Sequence, residues 1–328
     1  MNDQGGWVFI SHSHLDIEIV RMIRNKLEEL GFNPLAFYLK CLSDEDEIED
    51  LIKREIRVRD WFVFVNSENA RKSHWVETER DYIEEIGGKN VCVINADCGE
   101  PRFSEILTNL ADHMRINVIY TKDDRTLAEQ VEQILLSHDF SVSVTELETS
   151  LSDPARIETI LEEQNGGFSL FLLTKRNLPT EDCLRALQDG FFHERKIMLV
   201  TEEDLDCDFM IVALFQSAGS LVSAEMSREA ADRLYRAIRG TVKWNAHDFT
   251  TSQSFLSART IYWPDLETIG DYAFSDCTVL EEVYLPDSVV YISGKAFEGR
   301  NDVLVHCHAG SHAERFCKKR HMRYTTEY

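Results

Sequence analysis

The chain has 328 residues and a formal net charge of −23, which argues against a polynucleotide partner, because nucleic-acid binding needs a basic footprint that releases counterions. No apolar run approaches the roughly 18 residues that span a bilayer, and the opening MNDQGGWVFI lacks the basic flank and apolar core of a secretory signal. With 43% hydrophobic residues and a mean hydropathy of −0.29, the expectation is a cytoplasmic protein of two or three domains with no membrane partner.

Residues 8–16 read VFISHSHLD, an apolar strand running into a polar turn. A helix begins at about Leu15, with Ile19, Ile23, Leu27 and Leu30 on one stripe and Gly31 as its stop. An apolar stretch from Phe32 to Tyr38 leads into the acidic run DEDEIED at 44–50 and a helix through Ile48, Ile52 and Ile56. That run reads either as a solvated face with acids at a helix start or as a loop that engages a neighbouring subunit. WFVFV at 61–65 predicts a buried strand, and Asn66-Ser67-Glu68-Asn69 breaks it. Ser73 then opens a helix in which Trp75, Glu79, Tyr82 and Ile86 recur at helical spacing. Trp75 and Glu79 lie one turn apart on one face, starting from the carboxyl end of a strand, where open α/β sheets bind ligands. VCVIN at 91–95 continues the alternation of strand and helix.

This first part resembles a TIR domain: FISHSH looks like that family's first box, and NSENARKSHWVETE resembles the segment that carries its glutamate. The resemblance covers roughly the first 120–135 residues. It implies a flavodoxin-like open parallel sheet that binds NAD+ and, in catalytic members, cleaves the nicotinamide–ribose bond. Glu79 aligns with the catalytic glutamate. Ser11, His12, Ser13 and His14 fall in the turn that contacts substrate, and Trp75 stands beside the glutamate. Cys41 falls in the loop from Leu39 to Ser43 that gates the pocket in that family. NAD+ enters as substrate, with no cofactor and no metal. Each residue also has a structural reading: helix capping for Ser11 and Asp16, a hydrogen-bonded surface imidazole for His12, core packing for Trp75 and a solvated carboxylate for Glu79. The SHSH turn departs from the aromatic or arginine that the family often has there.

The chemistry asks for one carboxylate. Nicotinamide leaves as a neutral base, so no acid is needed, and positive charge grows on the ribose as an oxocarbenium-like centre. A carboxylate in a water-excluded site stabilises that charge. The substrate's diphosphate sits uneasily with DEDEIED, an effect that Arg54, Arg57 and Arg59 would offset.

The chain also repeats itself at an offset near 108 residues. The stretch from Gly31 to Ser67 parallels that from Asp139 to Lys175, and VCVINAD parallels IMLVTEE at 197–203. The break between the copies falls either near 112 or near 138. Where the first copy has SHWVETE the second has TEDCLRALQ at 180–188, so it reads as a degenerate, structural or dimerising α/β TIR-like domain. The expected layout is a TIR domain over 1–137, the degenerate domain over 138–245 and a repeat segment over 246–328.

From about 250 the texture changes. Ala-Phe pairs fall at 273–274 and 296–297, with Leu280, Val283 and Leu285 at strand-like alternation between them. The segment resembles leucine-rich repeats of the BspA type, with VLVHCHAGSHAERFCKKRHMRY as a terminal cap. So short a solenoid is expected to pack on the middle domain, either binding a protein ligand or stabilising its neighbour. His306, Cys307, His308, His312, Cys317 and His321 cluster in the cap, with His308 and His312 at one zinc-ligand spacing but no CxxC anchor. Lys318, Lys319, Arg320 and Arg323 make a basic end suited to an acidic patch on another copy. The eight cysteines are scattered without a CxxC pair, so reduced thiols are expected.

The resemblance implies two functions. One is an NAD+ nucleosidase giving nicotinamide and ADP-ribose or its cyclic form, self-associating through its TIR domain, in anti-phage defence or cell signalling. The other is a non-catalytic scaffold acting through TIR–TIR and repeat contacts.

Overall fold

The computed structural model describes residues 5–36, 45–148, 151–164, 166–192, 195–202, 217–221, 231, 235, 248–249, 258–262 and 266–327. Cys41 and the expected gating loop at 39–43 lie outside them. Two compact units are formed: one joins residues 8–26, 34–106 and 240–328, the other residues 1–7, 27–33 and 107–239.

The first sheet is built from β1 (Trp7–Ser11), β2 (Asn33–Leu35), β3 (Trp61–Asn66) and β4 (Asn90–Asn95), in the order β2-β1-β3-β4. Its helices are α1 (Ile17–Glu29), α2 (Glu45–Val58), α3 (Glu68–Arg71), α4 (His74–Ile86) and α5 (Glu100–Met114). β1, β3 and β4 run parallel. β3 is buried from Trp61 to Val65, as a central strand covered on both faces must be. α1 buries Val20, Ile23 and Leu27, so its inward stripe is turned slightly from the predicted one, with Ile19 and Leu30 half-buried at its margins. α2 buries Ile48, Ile52 and Ile56 as the spacing predicts.

The second unit carries β5 (Arg115–Thr121), α6 (Arg125–Ser137), β6 (Ser141–Leu147), α7 (Pro154–Glu162), β7 (Phe168–Leu173), α8 (Glu181–Phe192), β8 (Ile197–Glu202) and β9 (Ser217–Leu221). The strands form a five-stranded parallel sheet in the order β6-β5-β7-β8-β9. β5 is therefore the first strand of this sheet, and the order repeats that of the first sheet with one strand added. This is the flavodoxin-like winding.

The C-terminal segment is a small solenoid. β10 (Asp248–Phe249), β12 (Thr268–Ile269) and β14 (Tyr291–Ile292) stack in one parallel ladder. β11 (Thr260–Tyr262), β13 (Glu282–Tyr284), β15 (Leu304–His306) and β16 (Tyr324–Thr325) stack in another. Ile261, Val283 and Val305 occupy one register position, one per turn. The Ala-Phe corners are buried, and the rings of Phe274 and Phe297 stack at 4.4 Å. α9 (His312–Arg320) closes the array, with Ser311 and Glu314 forming a capping box: Ser311 Oγ accepts from Glu314 N–H at 3.1 Å and Glu314 Oε2 from Gly310 N–H at 2.8 Å.

This solenoid belongs to the same compact unit as the first sheet. The sequence predicts packing on the middle domain; the contacts found among the described residues are with α4, the turn after it and the end of β4, where Asn95 donates to Glu267 at 3.2 Å. Glu84 of α4 is buried and accepts from His312 Nε2 at 2.7 Å and from Ile292 N–H at 3.2 Å. Arg320 donates to the Glu84 carbonyl at 3.0 Å, and Asp271 accepts from Gly88 N–H at 2.9 Å. Tyr291 joins the core that also holds Val76 and Ile83 of α4. At Gly294 the backbones come so close that a Cβ would lie 2.1 Å from the Glu84 carbonyl oxygen. Charged contacts within this chain also join the cap to α4. Lys319 reaches Asp81 at 3.8 Å and Arg315 reaches Glu77 at 3.3 Å, while Lys318 stays with Glu314 of its own helix.

Candidate active site

α4 positions the central carboxylate. Ser73 caps it, its Oγ accepting from Val76 N–H at 3.4 Å, and the buried face then comprises Val76, Glu79, Ile83 and Glu84. A glutamate in the second turn of such a face is driven under the sheet edge by its apolar neighbours. Glu79 is 6% exposed. Ser11, the last residue of β1, donates its hydroxyl to Glu79 Oε2 at 2.5 Å. Ser11 thus holds the carboxylate rather than capping a helix. Burial pushes the Glu79 carboxyl up to about 7, and the Ser11 hydrogen bond opposes that rise.

The rest of the predicted turn divides by role. His12 is half-buried, its Nδ1 2.9 Å from the Ile10 carbonyl oxygen, and burial lowers its pKa. Ser13 is buried and its Oγ accepts from Leu15 N–H at 3.3 Å, a local turn contact. His14 is exposed. Trp75 is half-buried, packs on the core and lies 5.6 Å from the His74 ring. The structure therefore brings Ser11 and Glu79 into contact, and keeps Ser13 and Trp75 in local and packing contacts. Cys41 lies outside the described residues.

Asp16 is a tie between loops. It accepts from Ser67 Oγ at 2.5 Å and from Asn69 Nδ2 at 2.8 Å, pinning the β1–α1 turn to the end of β3. The second sheet has the same tie: Asp124 accepts from Thr174 Oγ1 at 3.0 Å. The carboxylate site has no such echo. Ser11 pairs in register with Phe64, and Ile119 of β5 pairs with Phe171 in the matching place. Counting from the capping residues Ser73 and Thr180, Glu79 corresponds to Ala186. Ile119 and Ala186 share one apolar core cluster. The polar tie is present twice, the acid once.

The cations of α2 lie against α4. Lys53 Nζ and the Arg57 guanidinium each sit 5.6 Å from the centre of the Tyr82 ring, and Arg57 Nε also donates to the Tyr82 hydroxyl. Arg59 reaches back to Glu55 at 3.9 Å. Among the described residues no group of three or more histidines, cysteines or acids is arranged to hold a metal. His306, His308 and His312 each face a separate carboxylate, on Glu282, Asp287 and Glu84. No helix among the described residues is long and apolar enough to cross a membrane. The sequence reading missed Glu84 and the Asp16–Ser67 tie, although Ser67 in the polar break after β3 was the available signal for the latter.

The TIR domain model matches residues 8–114, and that of the BspA type leucine-rich repeat region (6 copies) matches residues 250–314. Residues 8–114 therefore form a TIR domain, and residues 250–314 lie in a BspA-type leucine-rich repeat region. It is similar to the "Putative cyclic ADP-D-ribose synthase TIR2" of Cytobacillus dafuensis, 30% identical over 102 residues. That match spans 28% of this chain and 26% of the relative. Among solved structures, the "XylFII molecule" aligns over 72% of this chain and 92% of its own at 16% identity and a TM-score of 0.23. The "XylFII-LytSN complex" aligns over 72% and 91% at 14% identity and a TM-score of 0.24. Scores this low carry no functional argument.

Proposed function

We propose that the TIR domain cleaves the nicotinamide–ribose bond of NAD+, with Glu79 as the catalytic carboxylate and Ser11 as the residue that positions it. The observation that carries this reading is the buried Glu79 carboxyl, held through Oε2 by Ser11 at the carboxyl end of β1. The similarity of this domain to a protein named as a cyclic ADP-ribose synthase supports it. The bond's electron pair leaves with nicotinamide, which departs neutral. The ribose carbon takes on oxocarbenium character, which the Glu79 carboxylate opposite it stabilises. The cationic pyridinium of NAD+ favours the ionised form of Glu79 on binding. Attack by water then gives ADP-ribose, and attack by the substrate's own adenine gives the cyclic product. In this reading His12, Ser13 and His14 of the turn after β1, and Trp75 one turn before Glu79 on α4, are the substrate contacts. Of the two breaks, near 112 or near 138, this reading takes the one near 112, which a second sheet beginning at β5 supports. The second unit, lacking the acid, serves assembly, and activity depends on self-association of the TIR domain.

The test is nicotinamide release from NAD+ by the full chain at high concentration, beside Glu79→Ala. Release by the parent alone supports the reading, and chromatography separates linear from cyclic product. Background signal from both, in assembled samples too, returns the chain to the scaffold reading. Equal turnover by both removes Glu79 from the mechanism.

A further inference from the structure

A cleft lined by Val76, Glu77 and Arg80 of α4 lies between the first sheet and the repeats, and neither Ser11 nor Glu79 is part of its lining. It holds about 450 Å³, within the size range of small-molecule sites. Asn66, at the carboxyl end of β3, is part of its wall, and that end of an open α/β sheet is where ligands bind. Arg71, Arg80 and Arg315 also face it beside His312, a concentration of arginines on a chain of net charge −23.

The two acids on this wall are already engaged, Glu77 with Arg315 at 3.3 Å and Asp287 with His308 at 3.0 Å. The Glu314 amide of α9 is taken by Ser311 Oγ, and Glu314 Oε2 in turn holds Gly310 N–H. Arg80 and His312 each keep one nitrogen over, Arg80 beside an ion pair with Asp81 at 3.9 Å. Arg80 Nε and His312 Nδ1 are buried without a hydrogen-bond partner, and the His312 side chain is only 8% exposed. Buried polar atoms are ordinarily paired. With His312 Nε2 given to Glu84, Nδ1 accepts from a hydroxyl when the ring is neutral and donates to an anion when it is protonated. Arginine guanidinium groups match phosphate oxygens in a planar fork.

We propose that this cleft binds a small phosphate ester carrying free hydroxyls, of the sugar-phosphate class, with Arg80 and Arg71 on the phosphate and His312 beside it. The site bridges α4 and the repeat cap, so its occupant touches both. The inference stands independently of the reading of Glu79.

The experiment is titration calorimetry of the full chain with ribose 5-phosphate at fixed ionic strength, with ribose and inorganic phosphate as comparison probes. One saturable site is expected for ribose 5-phosphate, weaker binding for inorganic phosphate and none for ribose. Arg80→Gln and Arg71→Gln should each weaken binding about tenfold or more, whereas Glu79→Gln should leave it unchanged. Arg71 is exposed, so its variant carries the test should Arg80→Gln fail to fold. Absence of saturable binding at millimolar ligand, or binding indifferent to both arginine variants, overturns the proposal. Binding abolished by Glu79→Gln does so as well, by moving the ligand to the other site. Failure of nicotinamide release leaves this outcome untouched.

Discussion

Ser11 Oγ and Glu79 Oε2 are 2.5 Å apart in a buried hydrogen bond that joins the end of β1 to the second turn of α4. The bond fixes one carboxylate oxygen, and among the described residues none reaches the other. A carboxyl so placed is held at the edge of ionisation near neutral pH, because burial disfavours its charge more than Ser11 restores it.

Activity should therefore follow the ionised fraction of Glu79. The kcat/KM for nicotinamide release is expected to rise with pH through about 7 and then level off. Ser11→Ala removes the interaction that lowers this pKa, so its rising limb should move to higher pH. An unmoved limb in Ser11→Ala would separate Ser11 from the carboxylate's titration.

The same group makes a stability prediction. Its folded pKa lies above the unfolded value, so the protonated form stabilises the fold. That contribution is fully present below about 4.5 and is lost as pH rises to about 7. The expected loss is on the order of 3 kcal/mol. Glu79→Gln cannot ionise, so thermal melts should show the parent falling behind this variant between those two pH values, with a constant gap above them.

Asp16 should prove structural. Asp16→Ala and Asp124→Ala each strip the carboxylate partner from hydroxyl donors at matching places in the two sheets, and each should cost about 1–3 kcal/mol in urea denaturation. In Asp16→Ala the pH at which activity rises should stay that of the parent, measured below the unfolding transition. A displaced limb would give Asp16 a share in the chemistry.

The repeat–α4 contact is equally open to test. Glu84→Ala leaves His312 and the Ile292 amide without their buried partner, a change expected to cost about 3–5 kcal/mol. Gly294→Ala drives a methyl toward the Glu84 carbonyl and should raise hydrogen exchange at the end of α4 and around Gly88. Unchanged exchange there would mean that the repeats do not brace this helix.

Much of this was readable in the sequence. WFVFV announces a strand covered on both faces, and the offset near 108 predicts the second sheet's strands. The Ala-Phe pairs predict the stacked corners of Phe274 and Phe297. The inward face of α4 was harder. Trp75, Tyr82 and Ile86 form the apolar stripe by spacing, yet the deepest positions are Val76, Glu79, Ile83 and Glu84. The helix packs on a sheet and on the repeats at once, so two adjoining stripes are covered and hydrophobicity alone marks only one. Glu84 was illegible for a related reason. A glutamate among charged neighbours on a helix reads as solvated, and its partners His312 and Ile292 lie more than 200 positions along the chain. Ser11 carried a signal for the turn but none for its partner, since a serine after a strand caps helices as readily as it holds an acid.

The duplicated winding supplies its own control. Asp124 and Thr174 keep the brace that Asp16 and Ser67 make, while Ile119 and Ala186 stand where Ser11 and Glu79 would be. One polypeptide thus contains the architecture with the acid and the architecture without it. A property that survives in both halves is owed to the winding, and one confined to the first half is owed to a single hydroxyl and a single carboxylate.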